Sequence, residues 1–281
     1  MTEVHALEAR VAELLPRGAT ERPAEVRALV GDLLDALETG EVRAARRDDA
    51  GAWHAVPWVK QGILLGFRVG ELEEMGSTGP LSFVDKHTYP TRRFQAADGI
   101  RIVPGGSSVR RGAFLARGVV CMPPMYVNVG AHIGAGTMID SHALVGSCAQ
   151  VGADVHISAA AQIGGVLEPV NAAPVVIEDG VVVGGNCGVY EGTVVRTRAV
   201  LAAGTILTRG TPVYDLVRQM VHRASASEPL EIPEGAVVVP GARAVRDDWG
   251  AEQGISLQTP VIVKYRDERT DMSTMLEQWL R

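Results

Sequence analysis

The chain has 281 residues, 46% of them hydrophobic but only 5% aromatic, and a formal net charge of −6. The acidic balance argues against a nucleic-acid binder and no apolar run is long enough to span a bilayer, so neither nucleic acid nor membrane is an expected partner. Three cysteines, none in a CxxC pair, argue against a disulfide framework; with no signal-peptide pattern at the start, the expected compartment is the cytoplasm.

Residues 1–98 read as a helical domain. Thr2 is placed to cap a first helix whose Val4, Leu7, Val11, Leu14 and Leu15 share a face, ended by Pro16 and Gly18. A second helix has Pro23 near its start, Val26, Leu29, Val30, Leu33, Leu34 and Leu37 at helical spacing, and Gly40 as its stop. The polar run from Arg43 to Asp49 is a solvated loop or edge strand. Pro57 opens a third helix through Val59, Ile63 and Leu64 that is expected to end near Gly66. Phe67 to Tyr89 reads as a linker with short strands. This domain lacks the polar clusters that chemistry needs, so packing or partner contact is its expected role.

Residues 99–245 follow a different rule. Starting at Val103, an aliphatic or small apolar residue recurs every sixth position: Val109, Leu115, Cys121, Val127, Ile133, Ile139, Val145, Val151, Ile157 and Ile163. It resumes at Ile177, Val183, Val189, Val195, Leu201, Leu207 and Val213. A period of six fits neither a helix nor a half-buried strand, and is the hexapeptide signature of a parallel β-helix. The expected fold is mainly β: a left-handed triangular prism, three hexads to a coil, one inward aliphatic to a side. Small residues four places after the aliphatic suit tight corners, and glycines directly after it (Gly134, Gly146, Gly152, Gly164, Gly184) are expected to ease the backbone there.

Two stretches break the rule. Between Ile163 and Ile177, a run with Pro169 and Pro174 reads as an excursion out of the coil, of the kind that forms binding faces on repeat scaffolds. The polar stretch 214–234 is the second, before a strand at Ala236 to Val239. Residues 246–281 form a small extension, with a strand over Thr259 to Tyr265 and a final amphipathic helix over Asp271 to Leu280.

Asp140 stands directly after the inward Ile139, in a slot that is often glycine; it is either a functional carboxylate or a solvated surface acid. Glu191, two after the inward Val189, is a candidate base if a cleft desolvates it. His132, His142 and His156 are spaced by ten and fourteen residues. They share neither one hexad slot nor the short spacing of a dedicated metal site, so no metal is expected. His142, two residues from Asp140, is a candidate for substrate contact. The three cysteines and the scattered aromatic residues read as core.

Several blocks carry a family resemblance: IRIVPG from Ile100, SVRRGAF from Ser108, YVNVG from Tyr126, GTMID from Gly136, GSCAQ from Gly146, GGVLEP from Gly164 and VIVK from Val261. Over nearly its whole length the chain resembles the tetrahydrodipicolinate N-succinyltransferases of bacterial lysine and diaminopimelate synthesis. The GVLEP block is shared with acetyltransferases of the same pathway, whereas GSCAQ and the N-terminal helices favour the succinyl branch. The resemblance implies a homotrimer with sites between neighbouring prisms and succinyl-CoA as donor. It maps the family's substrate-binding Arg and Asp onto Arg101 and Asp140. A dicarboxylate acceptor needs such a guanidinium, and an acid beside its amine can take the proton. In many members a glutamate considered a catalytic partner stands where this chain has Gly188, and His142 stands where many have Trp; Glu191 is present.

The expected activity is therefore transfer of succinyl from succinyl-CoA to the amine of ring-opened tetrahydrodipicolinate, with Asp140 or Glu191 as base. Arg209, Arg243 and Lys264 are candidate partners for the CoA phosphates. The alternatives are an acetyl-CoA-dependent enzyme of the same pathway and a non-catalytic trimerising hexapeptide module.

Overall fold

A computed structural model describes residues 3–78 and 81–267. The suggested cap at Thr2 and the suggested helix from Asp271 to Leu280 lie outside the described residues.

Helices Glu3–Leu14, Pro23–Thr39 and Pro57–Val69, with a short turn of helix at Gly18–Glu21, pack through Leu7, Val11, Leu29, Leu33 and Ile63. Gly40 ends the long helix in the left-handed conformation, φ 80°. Gly66 does not end the third helix, which continues to Val69. A methyl group at Gly66 would lie 2.1 Å from the Tyr89 hydroxyl, so this glycine makes room for a buried ring and is no stop signal. The polar run forms a strand, Ala45–Arg47, paired antiparallel with Trp53–Ala55. Residues expected as a linker form a hairpin of Leu72–Thr78 against Leu81–Lys86.

The hexads wind into the expected left-handed parallel β-helix, with two-residue strands on three faces. The first face stacks Arg101–Ile102, Val120–Cys121, Met138–Ile139, His156–Ile157, Val182–Val183 and Val200–Leu201. The second runs from Ser108–Val109 to Ile206–Leu207 and the third from Phe114–Leu115 to Glu231–Ile232. Each strand's second residue points inward: Ile133, Ile139, Ile157, Ile163 and Ile177 are all fully buried. Burial on this scale stabilises by roughly 1.5–3 kcal/mol per side chain, which makes the inward position the least replaceable of the six.

Three details differ from the sequence reading. Ile102, not Val103, is in register with Cys121, nineteen residues on, whereas Val109 meets Val127 after eighteen; the first corner carries one extra residue. At the other end the ruler stops at Leu207. Val213 is buried, but its strand, Val213–Asp215, joins the end of the first sheet beside Ser256–Tyr265, and Ile232 takes the next third-face position above Val195. The corner glycines also work differently. Left-handed backbone falls three places after the inward aliphatic, as at Gly136 (φ 69°) and His142 (φ 61°). The glycines directly after it are places of close stacking: a Cβ on Gly134 would come 2.3 Å from the carbonyl carbon of Gly152 on the next rung.

Strand Ala236–Ala244 pairs along its length with Ser256–Tyr265, and the two extend the first face as an antiparallel hairpin. Among the described residues no helix is long and apolar enough to cross a membrane.

Candidate active site

Arg101 and Asp140 share the first face. Arg101 opens the first rung and is exposed; Asp140 follows the strand two rungs further on. At about 4.8 Å per rung the two positions are separated by ~10 Å along the prism. Asp140 Oδ1 accepts the Ser141 N–H at 2.7 Å, and Oδ2 lies 4.0 Å from His156 Nε2 on the adjoining rung. One carboxylate oxygen is thus pinned by backbone while the other faces an imidazole. Asp140 is 30% exposed, enough for a ligand to reach it. His142 sits exposed at the corner after Asp140, where its N–H donates to the Pro124 carbonyl.

A cleft of ≈ 930 Å³ opens at a different edge, where the second face turns into the third. Its walls come from the excursion after Ile163, from the corner Tyr190-Glu191-Gly192, from Thr208 and Arg209, and from the loop near Ser227. The excursion is an eight-residue insertion, since Ile163 and Ile177 occupy consecutive faces. Glu191 is exposed and in left-handed backbone (φ 55°), and its Oε2 accepts the Arg209 N–H at 2.9 Å. The Arg209 guanidinium donates to the carbonyls of Ser225 and Ala226, tying the far loop to the same corner.

The helical region, expected to serve packing or partner contact, also reaches this cleft. Trp53, His54 and Ala55 line it, and Trp53 Nε1 donates to Glu178 Oε1 at 2.9 Å. Burial pushes the Glu178 carboxyl up, but bonds from Trp53, Arg196 and Thr197 outweigh that effect and leave it below the usual range. Lys60, fully buried on the third helix, donates to the Ala172 carbonyl at 2.5 Å and so grips the excursion from behind. Burial lowers the pKa of its amine.

Tyr190 also lines the cleft, although the aromatic residues read as core. Neither Trp53 nor Tyr190 could be separated from core aromatics by pattern. The one available hint was the position of Tyr190 beside Glu191, in a corner where the hexad places outward residues.

Other candidates lie apart. Arg243 and Lys264 are on the C-terminal hairpin, outside the cleft lining that holds Arg209, and Lys264 pairs with Asp267 at 3.5 Å. His132 is on the third face, stacked on Phe114 with ring centroids 4.3 Å apart, so the three prism histidines do not converge. Burial, and secondarily Arg43, pushes His132 down to about 3. Cys121, Cys148 and Cys187 are buried free thiols, and burial raises the first two to about 12.

Comparison with known proteins fits this architecture. Residues 7–69 match the N-terminal domain profile of tetrahydrodipicolinate N-succinyltransferase, and residues 174–209 match the hexapeptide repeat of succinyl-transferase. A 2,3,4,5-tetrahydropyridine-2,6-dicarboxylate N-succinyltransferase of Polynucleobacter asymbioticus is 40% identical over 274 residues, spanning 96% of this chain and 94% of the relative. Its Rhodopseudomonas palustris counterpart is 42% identical over 263 residues, 92% and 90% of the two chains. In fold, the chain is similar to a 2,3,4,5-tetrahydropyridine-2-carboxylate N-succinyltransferase structure from Campylobacter jejuni. That match has a TM-score of 0.50 and 18% identity, covering 83% of this chain and 62% of that one. Full-length likeness at this identity, on helices and hexads alike, settles the affiliation: the chain belongs to the 2,3,4,5-tetrahydropyridine-2,6-dicarboxylate N-succinyltransferase family.

Proposed function

We propose that this protein moves the succinyl group of succinyl-CoA onto the amine of ring-opened tetrahydrodipicolinate, a step of diaminopimelate and lysine synthesis in the cytoplasm. The geometric observation that carries the reading is the placement of Arg101 and Asp140 on one face, two rungs apart. An offset of ~10 Å along the prism, with Asp140 two residues further across the face and the long arginine side chain spanning part of the gap, suits an extended seven-carbon dicarboxylate, with one carboxylate held bidentately by the guanidinium and the amine beside Asp140.

In this mechanism the neutral amine attacks the thioester carbonyl. As the new C–N bond forms, Asp140 takes the amine proton; the C–S bond then breaks and the proton is returned to the leaving thiolate, giving amide and CoA. Backbone N–H groups of the glycine-rich cleft are candidate donors to the oxyanion. Holding amine and thioester together in one groove supplies much of the remaining acceleration. Arg209, at the cleft, is the candidate partner for CoA phosphate. Arg243 and Lys264 reach CoA only if the neighbouring subunit brings its groove to their hairpin.

Asp140 and Glu191 stand at different edges of the prism, so one chain does not bring them together. In the proposed homotrimer with prisms side by side, the edge bearing Asp140 and His142 of one subunit, with Arg101 on the adjoining first face, meets the Glu191 edge of the next. The site is then shared, with Glu191 as its second carboxylate.

Steady-state turnover with succinyl-CoA and acetyl-CoA, using the same acceptor, tests the assignment. A preference for succinyl-CoA is the expected result. A preference for acetyl-CoA moves the protein to the acetyl branch, and binding of neither CoA ester leaves a trimerising module.

A further inference from the structure

Gly188 lies on the second face, in register with Gln162 on the rung before and Ile206 on the rung after. The space above it is occupied. A methyl group built on Gly188 would meet Tyr190 Cε2 at 2.4 Å and the phenol oxygen at 2.8 Å; one built on Gly164 would meet Tyr190 Cδ1 at 2.8 Å. The ring of Tyr190 therefore lies flat on the prism, in a bed that two glycines leave open. Its hydroxyl is tethered by donating to Gln162 Oε1 at 2.9 Å. Three residues from two adjacent rungs converge to place one phenol, and Tyr190 lines the cleft with Glu191 and Arg209.

A phenol held in this way has chemistry to offer a ligand. Its oxygen keeps an accepting lone pair, the Gln162 amide nitrogen keeps two donors, and a small rotation turns the phenol O–H itself toward the cleft. The array is neutral and rich in donors, and the cleft it borders also holds Arg209 and the carboxylates of Glu168 and Glu191. Its donors suit a carboxylate at the end of a short chain. It adds nothing for an acyl group that ends in a methyl.

We propose that Tyr190, positioned by Gly188, Gly164 and Gln162, recognises the free carboxylate of the donor acyl group and sets the preference for a dicarboxylic acyl-CoA. This rests on the reading of the protein as a CoA-dependent acyltransferase. A site built to hydrogen-bond a polar group discriminates strongly in favour of ligands that carry it, because its own polar groups are otherwise left unmatched.

Tyr190→Phe keeps the ring on its glycine bed and removes only the hydroxyl. The KM for succinyl-CoA should rise by about tenfold or more, as for loss of a hydrogen bond to a charged group, while the Kd for CoA, measured by calorimetry, stays within about twofold. Gly188→Ala displaces the ring and should give the same selective loss. A parallel weakening of CoA itself would show that Tyr190 only supports the corner; unchanged values for both ligands in Tyr190→Phe would remove it from donor recognition. Wild-type protein that binds no CoA ester at all would instead overturn the acyltransferase reading.

Discussion

Asp140 and His132 show how the same scaffold treats two polar side chains. Asp140 occupies an outward slot at a corner, part-exposed, with one oxygen held by the Ser141 N–H. His132 has been drawn under the helical region against Phe114, where its ring is kept uncharged, at about 3 against an ordinary 6.5. The consequence for stability has a definite sign. The unfolded chain takes up a proton at His132 that the folded chain refuses, so stability is lost as pH falls from 6.5 toward about 3. His132→Phe, which keeps the stack, should flatten the pH dependence of the denaturation midpoint across that window by about one proton. An unchanged slope would mean the ring protonates freely in the folded protein. Asp140 was legible because it broke a glycine slot; His132 was not, since burial beneath another part of the chain leaves no trace in a local pattern.

At the scale of elements, the cleft depends on a loop held from behind. The excursion after Ile163 was readable as an excursion from its two prolines and lost phase, but nothing local pointed to Lys60 as its anchor. Lys60 lies in a helix whose apolar stripe reads as ordinary packing, and only the folded arrangement brings its amine to the Ala172 carbonyl. Lys60→Met keeps length and removes the donor, leaving that carbonyl unmatched at a cost of about 1–3 kcal/mol. Amide exchange across residues 164–175 should quicken while the central rungs of the prism keep their protection. Exchange that is unchanged in the loop would show that the lysine is not its anchor. The same limit explains two misreadings of glycine. Gly66 reads as a helix stop by local rules, and the glycines after the inward aliphatics read as corner relief. Both instead allow close approach by distant atoms.

For the whole molecule, the prism was the most legible part, because every rung must present one aliphatic to a narrow core and the sequence has no freedom to do otherwise. The slip between Ile102 and Val103 escaped detection because both side chains satisfy that rule. The candidate site was half legible: the proposed residues could be named, but their distribution over two edges appears only when the strands are assigned to faces. On the proposed reading, that distribution makes assembly a condition of activity. Subunit complementation tests the shared site. Asp140→Asn and Glu191→Gln homotrimers should each lose about a hundredfold or more of the wild-type rate, the range for removal of a positioned acid–base group. Mixed trimers from equal co-expression should recover to about a quarter of it, since one shared site in four then receives both intact carboxylates. A mixed preparation no more active than the mean of its two parents would contradict a site built between subunits.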